Sequence, residues 1–160
     1  MQLLFQIEKM DIKGFNPLKE IGFIIARTHR TMLNILQQRL SDNGFDITSE
    51  QAIVIMTLYQ KDGIAQQEIA TAVFKDKSSV KRLIDNMERK NWIVRVPDKN
   101  DRRNKLIYLT HGGKALREKI SEVAICVLSD AQEDIDTEEI KICKKVLEQI
   151  FNNLRKNNAV

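Results

Sequence analysis

With 160 residues, of which 42% are hydrophobic and 30% charged, and a net charge of +4, the chain has the composition of a soluble globular domain that can bury a core. Its longest uncharged apolar run falls far short of the ~20 residues that cross a bilayer, so no membrane contact is expected. The opening MQLLFQIEKM carries neither a basic lead-in nor a small-residue cleavage site, which argues against a secretory signal and for a cytoplasmic protein.

Residues 1–17 end in Asn16 and Pro17 and read as an arm outside the core. From Leu18 to Leu40 the apolar residues Ile21, Ile24, Ile25, Met32, Ile35, Leu36 and Leu40 recur at steps of three and four. That spacing predicts a long amphipathic helix ending at Asn43 and Gly44. ITSEQAIVIMTLYQK opens with Thr48 and Gln51 at capping-box spacing and predicts a second helix ending near Gly63. AQQEIATAVF predicts a shorter one that turns Ile69, Ala70 and Val73 inward. A turn at Phe74 and Lys75 then leads into a further helix, so two short helices form a helix-turn-helix.

That further helix, capped by Asp76, places Val80, Leu83, Ile84 and Met87 on one buried stripe. Ser78, Arg82, Asp85 and Arg89 fall on the opposite face, with Lys77 and Lys81 on its flank. Beyond it, alternation from Trp92 to Val96 and from Lys105 to Leu109 predicts two antiparallel strands. Between them PDKNDRRN carries Lys99, Arg102 and Arg103 on an exposed hairpin tip. After the hairpin, Thr110 caps a helix through Leu116, Ile120, Val123, Ala124, Val127 and Leu128. A last helix from Thr137 aligns Ile140, Cys143, Leu147, Ile150, Phe151 and Leu154. The fold class expected is mainly α with a small β-hairpin.

From Lys75 to Lys105 there are eleven Lys/Arg against five Asp/Glu, a local net of +6, while the rest of the chain sums to −2. A basic helix followed by a basic hairpin suits one element in the major groove of DNA and the other in the adjacent minor groove. The bland alternative is a solvated helix and a charge-blunted hairpin edge. Gln66 and Gln67, at a helix start, are candidate phosphate partners. The first and last two helices are too apolar to stand alone. They either build a small core of their own or, more simply, pair two copies of the chain. Cys126 and Cys143 are expected as buried free thiols. His29 and His111 lack partners at metal-ligand spacing, and no Gly-rich phosphate loop or paired nucleophile and base occurs, so no metal, cofactor or enzyme activity is expected.

QQEIATAV, then DKSSVKRLIDNMERKNWIVR, then PDKNDRRNKLIYLTHGGKAL together resemble the MarR family of winged helix-turn-helix transcription regulators. Asp101, Arg102 and Arg103 fit the family's wing motif, and Asn91 stands where Gly is usual, as a tolerant left-handed cap. The resemblance implies long N- and C-terminal dimerisation helices, 18–45 and 111–157, around a DNA-binding lobe, 46–110. It implies a homodimer on a pseudo-palindromic operator in double-stranded DNA. The recognition helix would then present Lys77, Ser78, Ser79, Lys81 and Arg82. The wing would present Lys99, Asn100, Asp101, Arg102 and Arg103, with Asp101 positioning an arginine. It also implies a small aromatic or anionic effector, for which His29, Met32, Met56 and Tyr59 are candidate lining residues. A dimeric winged-helix interaction module that does not read DNA is the competing reading.

Overall fold

The computed structural model describes residues 16–99, 101 and 104–157, so most of the arm and the wing residues Asn100, Arg102 and Arg103 lie outside the described residues. Asn16 Oδ1 accepts from the Leu18 N–H at 3.1 Å and caps a 3₁₀ turn, Pro17–Lys19. Helix α1 therefore spans Ile21–Asp42 rather than starting at Leu18. It stops where expected. Gly44, at φ +75°, donates to the Ser41 carbonyl at 2.9 Å and Phe45 donates to that of Leu40 at 2.9 Å.

Helix α2, Ser49–Gln60, opens with the predicted capping box: Thr48 Oγ1 accepts from the Gln51 N–H at 3.2 Å and Gln51 Oε1 from the Thr48 N–H at 3.0 Å. It ends three residues before Gly63, because the chain there turns into a strand, β1, Ile64–Ala65. The sequence reading expected two strands, and the sheet has three. A two-residue strand shows no alternation and is recognisable only through its partner. Helices α3, Gln66–Ala72, and α4, Lys77–Arg89, follow, then strands β2, Ile93–Pro97, and β3, Lys105–Leu109, and helices α5, His111–Ala131, and α6, Thr137–Asn157. The sheet order is β1-β3-β2, antiparallel throughout, with Ile64 opposite Ile107 and Val94 opposite Tyr108. Gly63, at φ +74°, lies so close under Tyr108 that a Cβ would meet the ring at 2.6 Å.

The core lies in the lobe between α2 and β3. Leu40, Ile55, Leu58, Ile69, Ile84, Met87, Ile93, Ile107 and Ile120 are fully enclosed. Helix α4 contributes Val80, Ile84 and Met87 from the predicted stripe, each burial stabilising by about 1.5–3 kcal/mol. Thr110 Oγ1 accepts from the Gly113 N–H at 3.1 Å and donates to the Asn91 carbonyl at 2.6 Å, fixing the start of α5 to the end of α4.

Helix α5 buries Ile120, Val123 and Val127 against α1 and α2, and Arg39 of α1 pairs with Asp130 near its end. Helix α6 buries nothing, and the first half of α1 is exposed throughout. Ile142, Val146, Leu147, Phe151 and Leu154 of α6 are exposed among the described residues. The two thiols correct the sequence reading, since both are exposed. Cys126 falls outside the buried series Ile120, Val123, Val127, and Cys143 sits on an apolar stripe that is exposed among the described residues. Among the described residues no helix is long and apolar enough to cross a membrane, and no His, Cys, Asp and Glu cluster could hold a metal.

Candidate nucleic-acid interface

Helix α4 starts on Asp76, whose carboxylate accepts from the N–H groups of Ser78 and Ser79 at 2.9 Å each. It accepts as well from the hydroxyls of Ser78 at 2.5 Å and Ser79 at 2.7 Å. The Ser78 and Ser79 bonds hold the Asp76 carboxyl well below the usual carboxylate range. Both predicted reading serines thus serve the helix start in the free chain, and Ser79 is half-buried. The helix ends on Asn91, at φ +56°. Its N–H donates to the Glu88 carbonyl at 2.9 Å while that of Trp92 donates to Met87 at 3.0 Å, a left-handed cap with asparagine in the glycine position.

Lys77, Ser78, Lys81, Arg82 and Arg89 are exposed on the outer face, as the periodicity requires. Lys81 Nζ lies 3.0 Å from Asp85 Oδ2, one turn along. Asp85 also accepts from Arg95 of β2, and these two cations lower its pKa. Arg95 Nη1 reaches Glu88 Oε2 at 2.7 Å, and its backbone N–H reaches Glu88 Oε1 at 3.2 Å. Sequence reasoning missed this junction. Its signal was present, because Arg95 occupies the same strand face as the buried Ile93 and so points inward.

Gln66 and Gln67 at the start of α3 lie across a hollow from the start of α4. With Lys77, and with Asn104 and Lys105 where β3 begins, they line a polar hollow of about 420 Å³. Asn104 and Lys105 were not expected there; only the β1–β3 pairing brings that end of the hairpin to α3. At the hairpin tip Lys99 is exposed. Asp101 accepts from the Asn104 N–H at 2.9 Å through its carbonyl and from the side-chain amide at 3.4 Å, closing the turn. Its expected pairing with an arginine of the tip involves residues outside those described.

Of the four candidate effector residues, Met56 lines a cavity. That cavity, about 320 Å³ between α1, α2 and α5, is bounded mainly by Leu36, Ala52, Ile53, Met56, Ile120 and Ala124. His29 is exposed on the unpacked half of α1, and Met32 does not reach the cavity. Tyr59 points outward and carries the Arg117 guanidinium 3.3 Å from its ring centroid.

The fold and this face define a winged helix-turn-helix protein. Residues 47–105 match the MarR family. The chain is 28% identical over 137 residues to the transcriptional regulator SarZ of Staphylococcus aureus, covering 86% of this chain and 85% of that protein. It superposes on the transcriptional regulator PA3341 with a TM-score of 0.77 at 30% identity, covering 86% of this chain and 99% of that one. On a mutant MarR from E. coli complexed with operator DNA the TM-score is 0.74 at 24% identity, covering 88% and 99%. The chain belongs to the MarR family of transcription regulators, a family of regulators rather than of enzymes.

Proposed function

We propose that two copies of the chain bind a pseudo-palindromic operator in double-stranded DNA and repress transcription until a small compound releases them. The observation that carries this reading is α4, which gives its whole apolar side to the core and turns a polar, mostly cationic side outward beside the hairpin. Lys77, Lys81 and Arg82 enter the major groove, and Ser78 and Ser79 reach it by exchanging their bonds to Asp76 for a base or phosphate. Lys99, Asn100, Asp101, Arg102 and Arg103 form the minor-groove tip. Gln66 and Gln67, with Lys77, Asn104 and Lys105, hold a backbone phosphate in the polar hollow.

Residues 46–110 are the reading lobe, and 18–45 with 111–157 pair the two copies. The uncovered apolar residues of α1 and α6 support that division. The operator complex of the E. coli neighbour supports the DNA partner. The effector is aromatic rather than anionic, since the residues that line the cavity are apolar or neutral.

Fluorescence anisotropy with duplexes selected from genomic fragments tests the proposal. Affinity falls with salt at roughly −0.9 in log–log slope for each phosphate neutralised. A chain that ignores every duplex even in dilute buffer is instead a dimeric interaction module.

A further inference from the structure

On the flank of α4, Lys81, Asp85 and Glu88 stand at i, i+4 and i+7 and so form one stripe of a cation and two carboxylates beside β2. Into that stripe β2 delivers Arg95, whose side chain is only 17% exposed. Its guanidinium fork spans both carboxylates, Asp85 through Nη2 and Glu88 through Nη1 at 2.7 Å. Lys81 holds the other oxygen of Asp85 at 3.0 Å. The four groups sum to zero charge and link the reading face of α4 to the strand that carries the wing.

We propose that Arg95 is a positioning residue for DNA reading: by satisfying Asp85 it leaves Lys81 free to exchange that carboxylate for a phosphate or base. This rests on the DNA-binding role proposed above. Without Arg95, Lys81 is the one cation left against Asp85 among the described residues, and a net negative charge sits where a polyanion must dock. Only an arginine does this work well, because its planar fork serves two carboxylates at once while a lysine ammonium is a single point.

The test is a cycle of Arg95→Met, Asp85→Asn and the double variant, with Arg95→Lys as a fourth protein that keeps the charge and the aliphatic stem. Each is measured for anisotropy-detected affinity and salt slope on the parent's best duplex, and for thermal midpoint. Arg95→Met is expected to bind about five- to tenfold more weakly, with the salt slope shallower by about 0.9, the loss of one phosphate contact. Asp85→Asn alone changes affinity by less than about threefold, because Arg95 already neutralises that group. Adding Asp85→Asn to Arg95→Met restores binding to near the parent value, which a merely structural role for Arg95 does not predict. Arg95→Lys falls between. The inference is overturned if Arg95→Met and Arg95→Lys both match the parent in affinity and slope. It is equally overturned if the folded double variant stays as weak as Arg95→Met. A parent chain that binds no duplex sinks the proposed function itself, an outcome distinct from both.

Discussion

Two neighbouring glycines at the start of α5 offer a matched test of how that helix docks on the lobe. A Cβ at Gly113 would lie 2.0 Å from the Trp92 carbonyl oxygen, 3.0 Å from its carbon and 3.1 Å from Leu109 Cδ2. The first two contacts are backbone, held in place by the Thr110 N–H bond to the Trp92 carbonyl at 3.0 Å, so nothing flexible can yield. A Cβ at Gly112 meets only the Asn91 carbonyl at 3.4 Å and Thr110 Oγ1 at 3.7 Å, ordinary contact distances. Both replacements by alanine gain up to about 1 kcal/mol of helix propensity. Only Gly113→Ala also incurs overpacking, about 3 kcal/mol for a clash of this depth against backbone. Gly112→Ala should therefore be neutral to stabilising and Gly113→Ala destabilising by about 2 kcal/mol. At about 2–4 °C per kcal/mol for a chain of this size, the two melting midpoints separate by roughly 6–12 °C. Differential scanning fluorimetry at one fixed protein concentration reads this directly, since association shifts the midpoint by mass action. If Gly113→Ala melts with or above Gly112→Ala, α5 does not start against Trp92 as described.

Phe74 adopts φ +52° with its ring three-quarters exposed, so Phe74→Gly should raise the midpoint by relieving about 1 kcal/mol of left-handed strain; an unchanged or lower midpoint shows that the ring makes a contact worth the strain. Asp76 has a depressed carboxyl pKa, so its stabilisation is present above the unfolded value near pH 4 and is lost as pH falls below it. Asp76→Asn, which still caps but does not titrate, should flatten the acid limb of a midpoint-versus-pH profile, and an identical limb in both proteins refutes that role. Leu147→Lys places a charge on the exposed apolar face of α6 and should convert the proposed dimer to monomer in sedimentation velocity, while a variant that associates as tightly as the parent moves the pairing surface elsewhere. Lys77→Ala should make the salt dependence of DNA binding shallower by about 0.9 in log–log slope, and an unchanged slope removes Lys77 from the phosphate contacts.

The alternating and three-and-four patterns of apolar residues dictated the helices, the hairpin and the outward face of α4, because each depends on a period that short segments carry in themselves. Local chemistry was equally readable: the Thr48 capping box and the Asp76 cap follow from a residue and its neighbours within four positions, while the left-handed Asn91 was implied by the family resemblance. Contacts between segments distant in the chain were decided only on folding. Strand β1 exists because Ile64 meets Ile107, and the polar hollow exists because the same pairing carries Asn104 and Lys105 to Gln66 and Gln67. Arg95 could be seen on an inward strand position, but not which carboxylates awaited it. The apolar cavity drew the least from sequence, since a hole is the space left between α1, α2 and α5 by their packing, and no single segment encodes it. The thiols went the same way: periodicity put Cys143 on an apolar stripe, yet whether a stripe is covered depends on what packs over it, and among the described residues Cys143 stays exposed.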